Sequence, residues 1–194
     1  MQAPSRLPWT QYASPVLLIG PAYAGKSELA MQALRPDIGA VVIGSAPPDE
    51  PAFASRLNHL QSLRPACWES LHAGMNLVQA TAEAAKATPG GQILIDAVNQ
   101  WLAVMLLGNS DAAPSAATQA AWLDDQVSEL LRVLRAYPTT RFVLVSAEVG
   151  ASPAPARVPE RLYRQYVGLT NQRLAAIAQT VVSVQVGLGT LIKG

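Results

Sequence analysis

An eight-residue motif constrains the fold more than any other part of the chain: Gly20-Pro21-Ala22-Tyr23-Ala24-Gly25-Lys26-Ser27, which fits G-x-x-x-x-G-K-[ST] without a mismatch. Glycines let such a loop curl until its backbone N–H groups point at phosphate oxygens. The lysine neutralises charge on the β- and γ-phosphates, and the serine hydroxyl can ligate Mg²⁺. The motif therefore predicts a site for a nucleoside triphosphate with Mg²⁺. An ordinary glycine-rich turn is the competing interpretation.

Apolar strands alternate with helical segments along the chain. Strands are predicted at residues 16–19, 40–43, 92–95, 142–145, 181–186 and 190–192. Helices are predicted at residues 27–34, 51–63, 75–87, 98–107, 120–136 and 161–178. Half of the residues are apolar and only 14% are charged, which is typical of a sheet covered on both faces. The sequence therefore predicts an α/β fold of the P-loop NTPase (RecA-like) class, with three layers and a mostly parallel central sheet.

Asp96 follows the predicted strand at residues 92–95. Proteins with this phosphate-binding loop, or P-loop, place an acidic residue there to hold magnesium directly or through water. We therefore predict Lys26 and Asp96 as catalytic residues, and Ser27 with Asp96 as the metal site. An aspartate at the end of a strand can also cap the following helix, and Asp96 could do both.

The length of 194 residues fits one domain, expected at residues 15–194 after a surface extension at residues 1–14. Loops are expected at residues 108–118 and 147–159, the second near the carboxyl ends of the strands. A net charge of +1 is not the excess of positive charge that is typical of nucleic-acid-binding domains. The single Cys67 cannot form an intrachain disulfide. We therefore expect a cytoplasmic protein with small-molecule ligands, without a nucleic-acid partner or a membrane span.

Four further motifs follow in order after the P-loop. The first is similar to R-I-x-x-H-x-x-x-R-P-x-x-W and consists of Arg56-Leu57, Arg64-Pro65 and Trp68. The second is similar to D-C-L-T-L-W-L and the strand before it, and consists of Ile93-Leu94-Ile95-Asp96 with Trp101-Leu102. The third is similar to V-x-V-S-N-E-V-G and consists of Val143-Leu144-Val145-Ser146 with Glu148-Val149-Gly150. The fourth is similar to R-x-F-R-D…G-x-x-N-Q-x-L-A and consists of Arg161, Tyr163, Arg164, Gly168 and Asn171-Gln172-Arg173-Leu174-Ala175. Over about residues 16–193 the chain thus resembles the adenosylcobinamide kinase/adenosylcobinamide-phosphate guanylyltransferase family of cobalamin biosynthesis.

The resemblance implies two activities. Members of this family phosphorylate the terminal hydroxyl of the aminopropanol arm of adenosylcobinamide with ATP or GTP, and then transfer GMP from GTP through a guanylylated histidine. They are typically trimers, so a homo-oligomer is expected. By the same resemblance, further nucleotide contacts are assigned to Gly44, Ser45 and Arg64. Acceptor contacts are assigned to Glu148, Arg161, Arg164, Asn171 and Gln172.

The chain departs from the family pattern at the histidine that would carry GMP. Leu60 occupies that position and His59 lies one place earlier, about 100° of rotation away on a helix. Leucine cannot form a phosphoramidate, so His59 is a displaced candidate nucleophile, or else an exposed or capping helix residue. Leu57, Leu60 and Leu63 are expected to share one apolar face. His72 is expected at the surface.

Other departures lie in the same motifs: Asn99 for Thr, Val104 for Asn, Ala147 for Asn and Gln165 for Asp. Val104 and Ala147 remove amides that could orient a substrate, whereas the P-loop is unchanged. The leading hypothesis is therefore a kinase of the cobinamide pathway with a doubtful guanylyltransferase half. The alternatives are a bifunctional enzyme that uses His59, a nucleotide-binding relative without cobinamide chemistry, and an unrelated P-loop kinase.

Overall fold

A seven-stranded sheet lies at the centre of the part of the chain that the computed structural model describes, residues 8–45, 51–107, 116–151 and 153–194. The strands are β1 Val16–Gly20, β2 Ala40–Gly44, β3 Glu69–His72, β4 Gln92–Asp96, β5 Arg141–Ala147, β6 Thr180–Gln185 and β7 Leu188–Lys193. Their order across the sheet is β3-β2-β4-β5-β1-β6-β7. Neighbouring strands are parallel except β6 and β7, which form an antiparallel hairpin. The predicted mostly parallel sheet is confirmed.

Six α-helices accompany the strands in the described ranges: α1 Lys26–Gln32, α2 Pro51–Ser62, α3 Leu77–Ala87, α4 Val98–Leu107, α5 Ala116–Ala136 and α6 Val158–Ile177. Helix α2 begins at Pro51 and α6 has Pro159 in its first turn. Proline is tolerated there because the first N–H groups of a helix have no partner within the helix. Within the described ranges, no helix has the length and apolar character that crossing a membrane requires.

Each face of the sheet buries its own apolar core. Side chains alternate between the faces along a strand. In β5, Phe142 and Leu144 belong to one core, together with Trp101 of α4. Val143 and Val145 belong to the other core, which α1 covers. Strand β5 is therefore buried on both faces, between β4 and β1, as the wholly apolar residues 142–145 predict, and the domain has three layers.

Strand β3 is the element that the sequence pattern does not predict. All four of its residues are exposed, so no apolar alternation marks Glu69–His72 as a strand. It joins the edge of the sheet through backbone pairing with β2. His72 is exposed at its end, as expected for a surface residue.

Two helices begin well before their predicted starts, whereas α1 begins only one residue early, at Lys26. Helix α5 begins at Ala116 and not near residue 120, and α6 begins at Val158 and not at Arg161. Both first turns consist of small or proline-containing segments that carry no apolar periodicity, so the pattern marks them as loop. The remainder of the first predicted loop, residues 108–115, lies outside the described residues, as do residues 1–7 of the predicted extension.

Candidate active site

The P-loop connects β1 to α1 along a path that depends on glycine. Gly25 has a φ of 89°, in the left-handed region that favours glycine. At Gly20 the constraint is steric, because an added Cβ would lie 2.1 Å from the carbonyl oxygen of Val184 in β6. The two motif glycines therefore occupy positions that a larger residue cannot take without moving the backbone.

Gly20→Ala should lower the thermal unfolding temperature and weaken nucleotide binding together. The new methyl group can be accommodated only by separating β1 from β6, and overpacking of this kind typically costs about 1–3 kcal/mol. Circular dichroism melting measures the loss. Gly168→Ala is a matched control for stability, since a Cβ there meets no described atom within 4 Å. An unchanged melting temperature in Gly20→Ala would contradict the close approach of the two strands.

Lys26, Ser27 and Asp96 meet where the P-loop, α1 and β4 approach one another. Lys26 is 6% exposed, and its Nζ donates to the carbonyl oxygen of Pro21 at 2.6 Å. Ser27 Oγ donates to Asp96 Oδ1 at 3.2 Å. Magnesium in nucleotide sites usually takes one or two protein oxygen ligands and completes its shell with phosphate oxygens and water. The hydroxyl and carboxylate of this pair fit such an ion.

Two of the other residues assigned to the nucleotide have buried polar atoms. Arg64 Nη1 donates to Ser70 Oγ at 2.6 Å, while its Nε is buried without a partner among the described residues. Burial lowers the pKa of the Arg64 guanidinium and the charge of Asp96 raises it, so the two side chains interact. The guanidinium stays charged at neutral pH. Ser45 follows Gly44 at the end of β2, and its buried Oγ likewise has no partner in the described ranges.

The turn between β6 and β7 contacts the P-loop, and no sequence motif indicates this contact. Gly187 N–H donates to the carbonyl oxygen of Ala24 at 2.9 Å. A Cβ added at Gly25 would lie 3.0 Å from the Cα of Gly187. The hairpin of β6 and β7 therefore packs against the P-loop and donates a hydrogen bond to it. A glycine at position 187 is the sequence signal that could have indicated this contact.

Helix α2 carries the residues that bear on guanylyl transfer. Leu60 is 5% exposed, whereas His59 is exposed. The expected shared apolar face is wrong, because Leu57 and Leu63 are 40% and 51% exposed. Of these leucines only Leu60 is covered, as in a helix that contacts the rest of the domain along a narrow strip. The position of the family's histidine is thus apolar and buried, and the imidazole of His59 points elsewhere.

A cavity of about 300 Å³ lies between residues 148–150 and one side of α6. Its wall adjoins the P-loop, because Glu148 N–H donates to the carbonyl oxygen of Gly20 at 2.9 Å. Four of the five residues assigned to the acceptor line it: Glu148, Arg164, Asn171 and Gln172. The structure therefore brings these four together beside the phosphate-binding loop.

Charged side chains hold the loop that forms this cavity. The Glu148 carboxylate accepts the N–H of Gly150, and Arg164 Nη2 donates to the carbonyl oxygen of Gly150. Arg161 does not line the cavity, and its Nη1 donates to the carbonyl oxygen of Pro155 at 3.3 Å. Arg161 therefore fixes the segment that leads into α6 and lies apart from the other acceptor residues.

Asn99, a departure from the family pattern, has a partner on α6. Its Nδ2 donates to Tyr163 Oη at 3.3 Å, and Tyr163 stands where the family motif has Phe. Burial raises the pKa of Tyr163, and the hydrogen bond from Asn99 lowers it. The phenol is therefore neutral at pH 7 and can accept this bond, which joins α4 to α6.

The chain is similar to known proteins over most of its length. The family model described as "Cobinamide kinase / cobinamide phosphate guanyltransferase" matches residues 16–192. The bifunctional adenosylcobalamin biosynthesis protein CobU of Salmonella typhimurium is 32% identical over 184 residues, which are 92% of this chain and 99% of that protein. The bifunctional adenosylcobalamin biosynthesis protein CobP of Pseudomonas aeruginosa is 29% identical over 180 residues, 92% of this chain and 96% of that protein. The match is thus to these relatives over nearly their full length.

A solved structure has a similar fold. It is an ATPase from the type III secretion system of pathogenic bacteria, with a TM-score of 0.54 and 10% sequence identity. The alignment covers 91% of this chain and 56% of the ATPase chain. At this identity the likeness concerns the fold alone, and it confirms the predicted P-loop NTPase class.

Proposed function

The chain belongs to the cobinamide kinase/cobinamide phosphate guanyltransferase family, and we propose that it is a nucleotide-dependent kinase that phosphorylates the aminopropanol hydroxyl of adenosylcobinamide. The observation that carries this proposal is the contact between Ser27 Oγ and Asp96 Oδ1 at 3.2 Å, beside the buried Lys26. Phosphoryl transfer depends on positioning and charge neutralisation more than on covalent chemistry. These residues supply both.

Each residue has one role in the proposed reaction. Lys26 and the P-loop backbone hold the β- and γ-phosphates, and Lys26 offsets the charge that develops on the leaving nucleotide. Ser27 and Asp96 would hold Mg²⁺, which neutralises charge on the phosphate oxygens. The acceptor hydroxyl oxygen forms a bond to the γ-phosphorus while the bond from that phosphorus to the β-phosphate oxygen breaks. The products are the phosphorylated acceptor, the nucleoside diphosphate and the proton of the hydroxyl.

Product mass tests the proposal. The protein is incubated with adenosylcobinamide, Mg²⁺ and either ATP or GTP, because the P-loop contacts phosphates and does not distinguish the base. We expect an acceptor that is heavier by one phosphoryl group. Nucleotide binding without any change in the acceptor would instead support a nucleotide-binding relative without cobinamide chemistry.

The protein should not become covalently guanylylated when it is incubated with GTP and Mg²⁺. A nucleophile must lie in line with the α-phosphorus at about 3–3.5 Å, and Leu60 offers none. His59 is exposed, and a rotation of about 100° that brought it to the position of Leu60 would expose that buried leucine. Intact-protein mass spectrometry at neutral or alkaline pH, where a phosphoramidate survives, measures the adduct.

The two histidines of the chain provide the controls for this experiment. A GMP adduct on the wild type that disappears in His59→Ala but persists in His72→Ala would overturn the prediction. That result would restore the bifunctional enzyme that uses His59 as a displaced nucleophile. The expected result is an unmodified mass for the wild type and for both variants.

A further inference from the structure

Segment 8–15 precedes the part of the chain that matches the family model, residues 16–192, and it packs against the domain. It includes a short 3₁₀ helix, Trp9–Gln11. Its other end is hydrogen-bonded to the sheet, because the N–H of Phe142 in β5 donates to Ser14 Oγ at 2.8 Å. The path of the segment across the domain is therefore fixed at both ends.

Trp9 contacts two elements that shape the P-loop. Its indole packs against the core that α1 covers. A Cβ added at Gly189 of β7 would lie 2.7 Å from Trp9 Cζ2 and 2.7 Å from Leu29 Cδ2 of α1, so the indole, the leucine and the strand meet at one point. Gly189 is two residues beyond Gly187, whose N–H donates to the carbonyl oxygen of Ala24 in the P-loop. Trp9 thus lies against both the helix and the hairpin that flank the P-loop.

Arg141 of β5 joins the same segment to the other end of α1. Its Nε donates at 2.8 Å to the carbonyl oxygen of Ala33, the residue that caps the C-terminus of α1. Its Nη1 and Nη2 donate to the carbonyl oxygens of Tyr12 at 2.9 Å and Trp9 at 3.1 Å. Burial lowers the pKa of Arg141, but a guanidinium stays charged at neutral pH. A positive charge beside the last carbonyl groups of a helix is stabilising.

We propose that segment 8–15 positions the P-loop for the nucleotide, with Trp9 as a positioning residue that acts through α1 and the β6–β7 hairpin. Helix α1 has seven residues and is therefore only about 10 Å long. Lys26 and Ser27 lie in its first turn, so a shift of the helix at Leu29 moves them too. Removing the indole leaves a void into which α1 and β7 relax. The proposal rests on the P-loop as the nucleotide site, which the proposed function requires.

Trp9→Ala tests the proposal. Calorimetry measures the Kd of non-hydrolysable ATP and GTP analogues with Mg²⁺, well below the melting transition of the variant. We expect the Kd to rise about tenfold, within the range for residues that affect a site through packing alone. In the kinase assay the KM for the nucleotide should rise, with the KM for adenosylcobinamide unchanged. A contact that only stabilises the fold lowers the melting temperature and leaves the Kd of the folded protein unchanged.

Trp122→Ala is the matched control. Trp122 is exposed on α5, which covers the opposite face of the sheet from α1. The control removes the same side chain and should leave the Kd of the nucleotide analogue unchanged. Trp9→Phe keeps an aromatic ring beside Leu29 and should lose less affinity than Trp9→Ala.

Hydrogen exchange of the wild type tests the proposal without a substitution, and so also if Trp9→Ala does not fold. Coupling between two sites is reciprocal, so bound nucleotide should slow the detachment of segment 8–15 by the same factor, about tenfold. The amides to follow are those of Gln11 and Tyr12, which donate to the carbonyl oxygens of Pro8 and Trp9. Mass spectrometry compares their exchange with and without Mg²⁺ and the nucleotide analogue.

Either of two results would overturn the proposal: a folded Trp9→Ala protein with the wild-type Kd, or exchange in segment 8–15 that does not respond to nucleotide. The kinase function would stand in both cases. If the wild type binds nucleotide without phosphorylating adenosylcobinamide, the kinase function fails, while a raised Kd in Trp9→Ala still supports the positioning role. If the wild type binds no nucleotide, both proposals fail.

Discussion

Lys26→Ala should nearly abolish the binding of nucleoside triphosphates at physiological magnesium. Lys26 is buried inside the P-loop, where its Nζ donates to the carbonyl oxygen of Pro21 at 2.6 Å. In the proposed site this ammonium group contacts the β- and γ-phosphates. Truncating a buried, hydrogen-bonded charge costs about 2–5 kcal/mol, which corresponds to a rise in Kd of about 30-fold to about 4,000-fold. Isothermal titration calorimetry measures the Kd of the nucleotide for the variant and for the wild type.

Lys86→Ala is the matched control, because Lys86 is exposed in the last turn of α3. It removes the same charge from a part of the surface without an assigned ligand, and should bind nucleotide as the wild type does. A melting curve of Lys26→Ala shows whether the variant is folded. A folded Lys26→Ala protein with wild-type affinity would contradict the assignment of the P-loop as the nucleotide site.

Asp96→Asn should lower kcat about a hundredfold or more, while the affinity for nucleotide changes much less. Asparagine keeps the shape of the side chain and can still hydrogen-bond to Ser27 Oγ, but it lacks the charge that would hold the metal. Loss of one preorganised electrostatic contact to the transition state typically costs about 10²–10³ in kcat. The Mg²⁺ concentration that gives half-maximal activity should rise in the same variant.

Asp125→Asn, on the exposed side of α5, is the control for removal of a carboxylate. It should leave both kcat and the magnesium dependence unchanged. Equal kinetics for Asp96→Asn and the wild type would favour the alternative role of Asp96, in which it only caps the helix that follows β4.

The P-loop motif and the alternation of apolar segments were sufficient to predict the fold class. The sequence around residues 16–34 specifies strand, glycine-rich turn and helix by local preferences alone. Local preferences do not predict strand β3, because its residues are all exposed. Backbone pairing with β2 is the interaction that makes it a strand. Likewise, three leucines at helical spacing do not reveal how wide a contact the helix makes, so only Leu60 is buried.

The candidate site could be predicted only where a motif carries its chemistry. The pattern of the P-loop and the end of β4 point to Ser27 and Asp96, whose oxygen atoms lie 3.2 Å apart. The acceptor side is different, because Gly168 carries no functional group and lines a cavity with residues 148–150, which are distant in the sequence. Arg161, assigned by its motif, contacts the segment before α6 and not the cavity. Which residues line the cavity depends on tertiary packing, and a local sequence pattern does not contain that information.

The measurement that tests the kinase proposal most directly is the transfer of label to the acceptor. The protein is incubated with adenosylcobinamide and Mg²⁺ and, in separate reactions, with γ-labelled ATP, γ-labelled GTP or α-labelled GTP. We predict label in the corrinoid from at least one γ-labelled donor and none from α-labelled GTP. If the folded, nucleotide-binding protein transferred label from neither γ-labelled donor, the proposal that this chain is an adenosylcobinamide kinase would be contradicted.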